Sequence, residues 1–336
     1  MKSIANLPRE DRLALFNETG VRMGLPPFHI EKDFWVCWTL GVLFGHSEVG
    51  PHLTFRGGTS LSKAWGIIQR FSEDIDLAMA RDWFGPLSDP GEMGINTAER
   101  ERRLQALRHE CRRVIAEVLL PVLEAEARRL KEGMMLEIEP LAKARDPFCI
   151  HVHYPQAGLS APASYNRAAV KIELSGRAEG WPIEDREIVP YVAREFPGID
   201  ARAKCTLSCV KPERTFWEKA ALLHEQNVRP GAVPLAPRQA RHLYDLTRLW
   251  SVMPAGDGFR ELWDGVVKHR KSYFDYSWVD YGSLTPAKLK IVPPDERLAE
   301  WEADYRAMRA MFYAEPAEFE EVVLSLREIQ EKIAAL

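Results

Sequence analysis

Apolar residues recur at helical spacing along the start of the chain and predict helices over 8–18 and 28–45. A short strand follows at 52–56, then a helix over 59–70 and a second strand over 73–80. One long amphipathic helix is expected at 97–132. Five alternating or β-branched runs come next, at 134–140, 148–154, 167–175, 186–192 and 203–210, each bounded by Pro, Gly or charged clusters as strands of one sheet would be. From Pro212 the period turns helical, over 212–226, 238–250, 258–270, 295–314 and 316–334. In the last of these, Phe319, Val322, Val323, Leu326, Ile329 and Ile333 form one stripe. The segments 81–96 and 228–237, rich in Gly and Pro, read as surface loops. The pattern therefore predicts an α+β domain over 1–210, N-terminal helices included, and a helical domain over 211–336.

Composition narrows the class without naming a function. Of 336 residues, 46% are hydrophobic and 28% charged, the balance of an ordinary globular chain, which excludes wholesale disorder and collagen-like or coiled-coil architectures. The longest apolar stretch, Phe34 to Gly45, falls short of the roughly 20 residues of a membrane-spanning helix and reads as a buried helix. Met1 to Arg12 lacks the apolar core of a signal peptide, so a cytoplasmic chain without a membrane partner is expected. Cys37, Cys111, Cys149, Cys205 and Cys209 are odd in number and lack zinc-site spacing, which predicts reduced thiols. A net charge of −4 gives no general signature of nucleic-acid binding. Locally, Arg100, Arg102, Arg103, Arg108, Arg112 and Arg113 make a basic face opposite Leu104, Leu107, Cys111 and Val114. Ion pairs with Glu99, Glu101 and Glu110 are the competing explanation of that face.

The stretch Leu53 to Met79 (LTFRGGTSLSKAWGIIQRFSEDIDLAM) holds the candidate chemistry. Gly57 and Gly58 let the backbone turn sharply and lie close to a ligand. Thr59 or Ser60 can cap the helix that follows, whose free N–H groups suit a phosphate, and Lys63 could add a point charge. In the next strand, alternation puts Asp74 and Asp76 on one face, with Ile75 and Leu77 on the other. Two neighbouring carboxylates repel unless a proton or cation intervenes, and such pairs together with substrate phosphates hold magnesium. Ser72 would share their face and could bond a triphosphate. Lys171 and Glu173 likewise share a face, so Glu173 can join the two aspartates if the strands are neighbours.

A strand, Gly-Gly-Thr-Ser, a helix and then Asp-x-Asp in the next strand match the signature of the DNA polymerase β-type nucleotidyltransferases. More narrowly, Phe55 to Lys63 and Arg70 to Leu77 resemble the AbiEii/AbiGii toxin family of bacterial type IV toxin–antitoxin and phage-defence systems. Glu31-Lys32-Asp33-Phe34-Trp35-Val36 resembles that family's N-terminal helix, and Lys171-Ile172-Glu173-Leu174 its third-carboxylate strand. Glu213 to Leu222 is similar to its lysine-bearing helix, and Arg241-His242-Leu243-Tyr244-Asp245-Leu246 to its Arg-x-x-x-Asp-Leu motif. Residues 251–336 carry no motif of the family.

The resemblance implies an α+β, polymerase β-like mixed sheet with flanking helices, followed by a helical C-terminal domain. It implies catalytic Asp74, Asp76, Glu173, Lys219 and Asp245, with Asp245 supporting the site by holding Lys219 or a ligand amine. Nucleotide would meet Gly57, Gly58, Thr59, Ser60, Lys63 and Ser72, the last also a possible phosphoryl acceptor. Two Mg2+ ions on Asp74, Asp76 and Glu173 would assist transfer of a nucleoside monophosphate from an NTP to RNA, with the tRNA 3′ end as acceptor and a cognate antitoxin as partner. Lys32 either reaches the nucleotide or pairs with Glu31 or Asp33. The rival readings are transfer to a protein or small molecule by the same core, and a non-catalytic regulatory module.

Overall fold

The computed structural model describes the whole chain except residues 73, 86–88, 92–94, 141–145, 160–167, 232 and 254–256. Three helices come first: α1 (Lys2–Ala5), α2 (Arg9–Met23) and α3 (Pro27–Phe44). Then follow β1 (Leu53–Arg56), α4 (Gly57–Lys63), β2 (Ile75–Met79), α5 (Thr97–Val114) and α6 (Leu120–Ala127). Next are β3 (Met135–Ile138), β4 (Phe148–His153), β5 (Ala169–Ser175), β6 (Ile183–Ile188), α7 (Tyr191–Glu195) and β7 (Cys205–Val210). Helices α8 (Pro212–Asn227), α9 (Arg241–Trp250), α10 (Asp257–Tyr273), α11 (Leu298–Ala307) and α12 (Phe319–Ala334) complete the chain. The expected loops over 81–96 and 228–237 lie partly outside the described residues.

Among the expected elements that differ, three have a plain local reason. The helix expected over 59–70 is the short α4: it ends at Lys63, and Gly66 at φ +67° takes a left-handed conformation that stops its return. The helix expected over 97–132 is broken by a π-helical turn at Ile115–Leu119, just ahead of Pro121, whose missing N–H disrupts the regular ladder. The strand expected over 186–192 lies earlier, because Pro190 opens α7.

Among the described residues, seven strands form one mixed sheet in the order β3-β4-β5-β2-β1-β7-β6. Strands β1 and β2, joined through α4, are antiparallel, β2 and β5 parallel, and β4 antiparallel to both β3 and β5. Alternation gives the central strands one apolar face, where Ile75, Leu77, Val170, Ile172 and Leu174 are buried. Helix α3 packs against β5, and its Trp35 ring stacks on Tyr154 at 5.5 Å. The opposite face carries the polar residues.

Contacts divide the chain into two compact units. One comprises Met1–Ala64, Ser72–Asp89 and Arg103–Cys209, and contains the sheet. The other comprises Trp65–Phe71, Pro90–Arg102 and Val210–Leu336. Its core is aromatic: Trp217 stacks on Phe259 at 4.6 Å beside Phe216, Trp250 and Trp263.

Candidate active site

In the sheet unit, strand pairing assembles the acids. The β1–β2 register sets Arg56 opposite Asp76, and the parallel β2–β5 register sets Glu173 beside Asp76. Burial, reinforced by the charge of Glu173, pushes the Asp76 carboxyl up to about 7, while Arg56 pulls the other way. Glu173 is also ion-paired with Lys171 on its own strand. Asp74 stands just ahead of β2 on the face of Asp76, its carbonyl accepting a bond of 2.6 Å from Thr59 Oγ1, which also lies 3.1 Å from Ser72 Oγ.

Gly57 closes this arrangement. Its φ of +76° disfavours any side chain, and a Cβ there would lie 1.9 Å from Asp76 Oδ2. Gly57 and Gly58 remain half-exposed, whereas Thr59 and Ser60 are buried. The Thr59 hydroxyl thus ties α4 to the lead of β2, and Ser60 lies against Cys209.

Lys63, expected as a charge for phosphate, is directed elsewhere. It is buried, with Nζ 2.5 Å from Asp33 Oδ1 and 3.8 Å from the Tyr191 ring centre. Asp33 Oδ2 accepts from Tyr191 N at 2.7 Å, and Glu31 Oε1 from Ala157 N at 2.6 Å. The two acids of the Glu-Lys-Asp run on α3 therefore brace the sheet unit, with Lys32 buried between them.

Lys219 and Asp245 meet in the other unit. Lys219 Nζ lies 2.9 Å from Asp245 Oδ2, and Arg70 grips both oxygens of the same carboxylate at 2.7 Å each. Against the cost of burial, Arg70 and Lys219 hold Asp245 well below the usual carboxylate range. Burial lowers Lys219, which is no surface lysine, and lowers His242 more strongly, with Lys219 adding to that effect. The neutral His242 ring places Nδ1 3.2 Å from Lys219 Nζ, where it accepts a hydrogen bond.

Arg56, Arg70 and His242 have no role in the sequence reading. For Arg56 the signal was present, since it directly precedes Gly57 on a strand predicted beside the aspartates. Arg70 opens the Arg70–Leu77 run that carries the family resemblance, but, flanked by Gln69 and Phe71, it finds its partner only through tertiary contact.

The acid set suits a hard divalent cation on chemical grounds. Its donors are all oxygen, and two carboxylates in register repel until a proton or cation joins them. Among the described residues no three His, Cys, Asp or Glu side chains close on one point. Asp74, Asp76 and Glu173 are therefore not drawn together as a closed three-acid cluster.

A mixed sheet with an antiparallel β1–β2 pair, a glycine-entered helix and a parallel strand that adds a third acid defines an α+β nucleotidyltransferase. The chain matches the family model described as nucleotidyl transferase AbiEii toxin, type IV toxin–antitoxin system, over residues 41–325, and it belongs to that family. It is therefore a nucleotidyltransferase enzyme and the toxin of a toxin–antitoxin pair, which implies an NTP substrate and a cognate antitoxin. No curated protein matches the chain. Among the described residues no helix is long and apolar enough to cross a membrane.

Proposed function

We propose that the enzyme transfers a nucleoside monophosphate from an NTP to the 3′-hydroxyl of an RNA, the tRNA 3′ end, and thereby inhibits growth or phage propagation. The observation that carries this reading is the register of Asp76 beside Glu173, with the Gly57 backbone pressed against Asp76. Asp74, Asp76 and Glu173 would hold two Mg2+ ions. When bound, these supply neutralisation of the leaving pyrophosphate and a lowered pKa for the attacking hydroxyl.

The chain's own groups orient the reactants. Gly57 and Gly58 offer half-exposed backbone to the triphosphate, and Ser72 a hydroxyl beside Thr59. Lys219, held by Asp245 and His242, is assigned to charge developing on the phosphates. Lys63 is left out of the nucleotide set because Asp33 takes its charge. Thr59 and Ser60 take part through backbone position, their side chains being turned inward.

Labelled nucleotide from each of the four NTPs, incubated with total tRNA, with total protein and without acceptor, tests the reading. Label in tRNA is expected, and its loss in Asp74→Asn and Asp76→Asn with the fold retained. Label in protein would favour the protein-acceptor alternative, and full activity of either variant at ordinary magnesium would remove the metal assignment.

A further inference from the structure

The chain between β5 and β6 crosses the acid-bearing face of the sheet. Residues 176–182 join those two strands, and β2, β1 and β7 lie between them in the strand order. The segment leaves β5 on bonds from the Arg177 and Ala178 N–H groups to Ser175 Oγ, at 3.2 and 3.1 Å. The Arg177 carbonyl accepts from Arg81 at 3.4 Å, and Ala178 is buried. Gly180 fixes the side on which the segment passes: an added Cβ would lie 2.9 Å from Thr54 Oγ1 and 3.7 Å from Ala78 Cβ. Thr54 stands opposite Ala78 and Arg56 opposite Asp76 in the β1–β2 register, so alternation puts all four on one face. Gly180 therefore packs on the face that carries Asp76, roughly 7 Å along β2 from it at about 3.4 Å per residue.

Trp181 comes next, and nothing in the fold holds its ring. It is 63% exposed, and among the described residues its indole makes no ring contact, cation–π contact or hydrogen bond. Of the chain's ten tryptophans it alone is exposed. Its backbone is nonetheless tied down. Gly180 is packed on the sheet with its N–H bonded to Glu179 Oε1 at 3.2 Å, and Pro182 restricts the conformation of the residue before it. Ile183, at the head of β6, is exposed as well. A large aromatic ring presented to water from a fixed backbone is suited to stacking on a flat partner at little cost in conformational freedom.

In-line chemistry decides which reactant passes this place. The groups assigned to the triphosphate, Gly57, Gly58 and Ser72, lie where β1 ends and β2 begins, so Asp76 stands between them and Gly180 along the strands. In phosphoryl-type transfer the attacking oxygen enters opposite the leaving group. With pyrophosphate leaving towards Gly57, the acceptor hydroxyl enters from the Gly180 side and brings its own nucleobase with it. We propose that Trp181 stacks on the 3′-terminal nucleobase of the RNA acceptor and so sets the 3′-hydroxyl beside Asp76 and Glu173. Because every base has a π-face, such a contact positions the acceptor end without selecting its base. This rests on the RNA-acceptor reading above and deepens it.

Binding of fluorescein-labelled tRNA by wild type, W181F and W181A tests the contact, beside a second tRNA whose 3′-terminal ribose lacks its base. W181A is expected to lose about tenfold or more in affinity for intact tRNA, the worth of one base–aromatic stack, and W181F to stay within about threefold of wild type. Wild type should bind the abasic tRNA as weakly as W181A binds the intact one, and removing ring and base together should cost no more than removing either. The log–log salt slope should be the same in all three proteins, since no phosphate contact is lost. NTP affinity and the urea midpoint should not change, because the ring is exposed. Equal affinity of wild type and W181A for intact tRNA, or losses that add in full in W181A with abasic tRNA, would overturn the stacking and leave the RNA-acceptor reading standing. A loss confined to NTP affinity would overturn it too and move the ring to the incoming nucleotide. A wild type that neither binds nor labels tRNA would overturn both.

Discussion

Asp245 is the side chain on which the buried cations Arg70 and Lys219 depend. It is fully buried and faces two cations, Arg70 with two bonds and Lys219 with one. Removing its charge leaves both cations buried without compensation, a change that costs about 3–5 kcal/mol in comparable sites. Asp245→Asn should therefore fall sharply in midpoint in urea unfolding. Lys219→Met removes one cation and leaves Asp245 forked to Arg70, so its midpoint should stay near wild type. Its transfer rate should nevertheless drop on the order of a hundredfold, as loss of a preorganised cation does. Loss of stability and rate in parallel in Lys219→Met would reduce Lys219 to a structural role.

The β1–α4 turn shows how an element constrains its residues. Gly57 is fixed by two independent demands, a left-handed φ of +76° and the approach of Asp76 Oδ2 to within 1.9 Å of its missing Cβ. Gly57→Ala should lose about 1–3 kcal/mol from backbone strain alone. It should also displace the Asp76 carboxylate, cutting transfer by more than the stability loss explains. Thermal melts beside a transfer assay check this, and unchanged activity would show that the turn and the acid are not coupled. Gly58 lacks the positive φ of Gly57.

Over the whole molecule, the acid pair should make stability pH-dependent when no metal is present. The folded-state pKa of Asp76, about 7, lies above the value near 4 of an unfolded chain. Between those values the folded protein holds a proton that the unfolded chain has released, so stability falls as pH rises from about 4 to about 7 and levels off above. Asp76→Asn cannot ionise and should escape that fall. In EDTA at pH 8 it should be more stable than wild type by on the order of 1 kcal/mol after solvent screening, with the gap closing towards pH 4. Melting curves at pH 4.5, 6 and 8 measure this, and a gap that does not change with pH would contradict the raising of Asp76 by burial and by Glu173.

The sequence by itself determined whatever is local and periodic. Alternation put Asp74 with Asp76 on one strand face and Lys171 with Glu173 on another, and glycine placed the turn before α4. Hydrophobic spacing located most helices and strands within a few residues, missing α1 and α7, which are too short to show a period. Tertiary structure decided what depends on pairing between distant segments. The parallel β2–β5 register brought Glu173 to Asp76, where a shift of one residue would have turned it to the core. Buried charge was decided in the same way. An isolated lysine or arginine in sequence says nothing about its counter-ion, yet desolvation forces one on it. Lys63 thus turned to Asp33, and Arg70 joined Lys219 at Asp245. The arginines of α5 divided for this reason too: Arg102 and Arg113 pair with Glu99, Glu110 and Glu117 nearby in sequence, while Arg112 lies over the Phe148 ring of β4 and Arg100 pairs with Asp275.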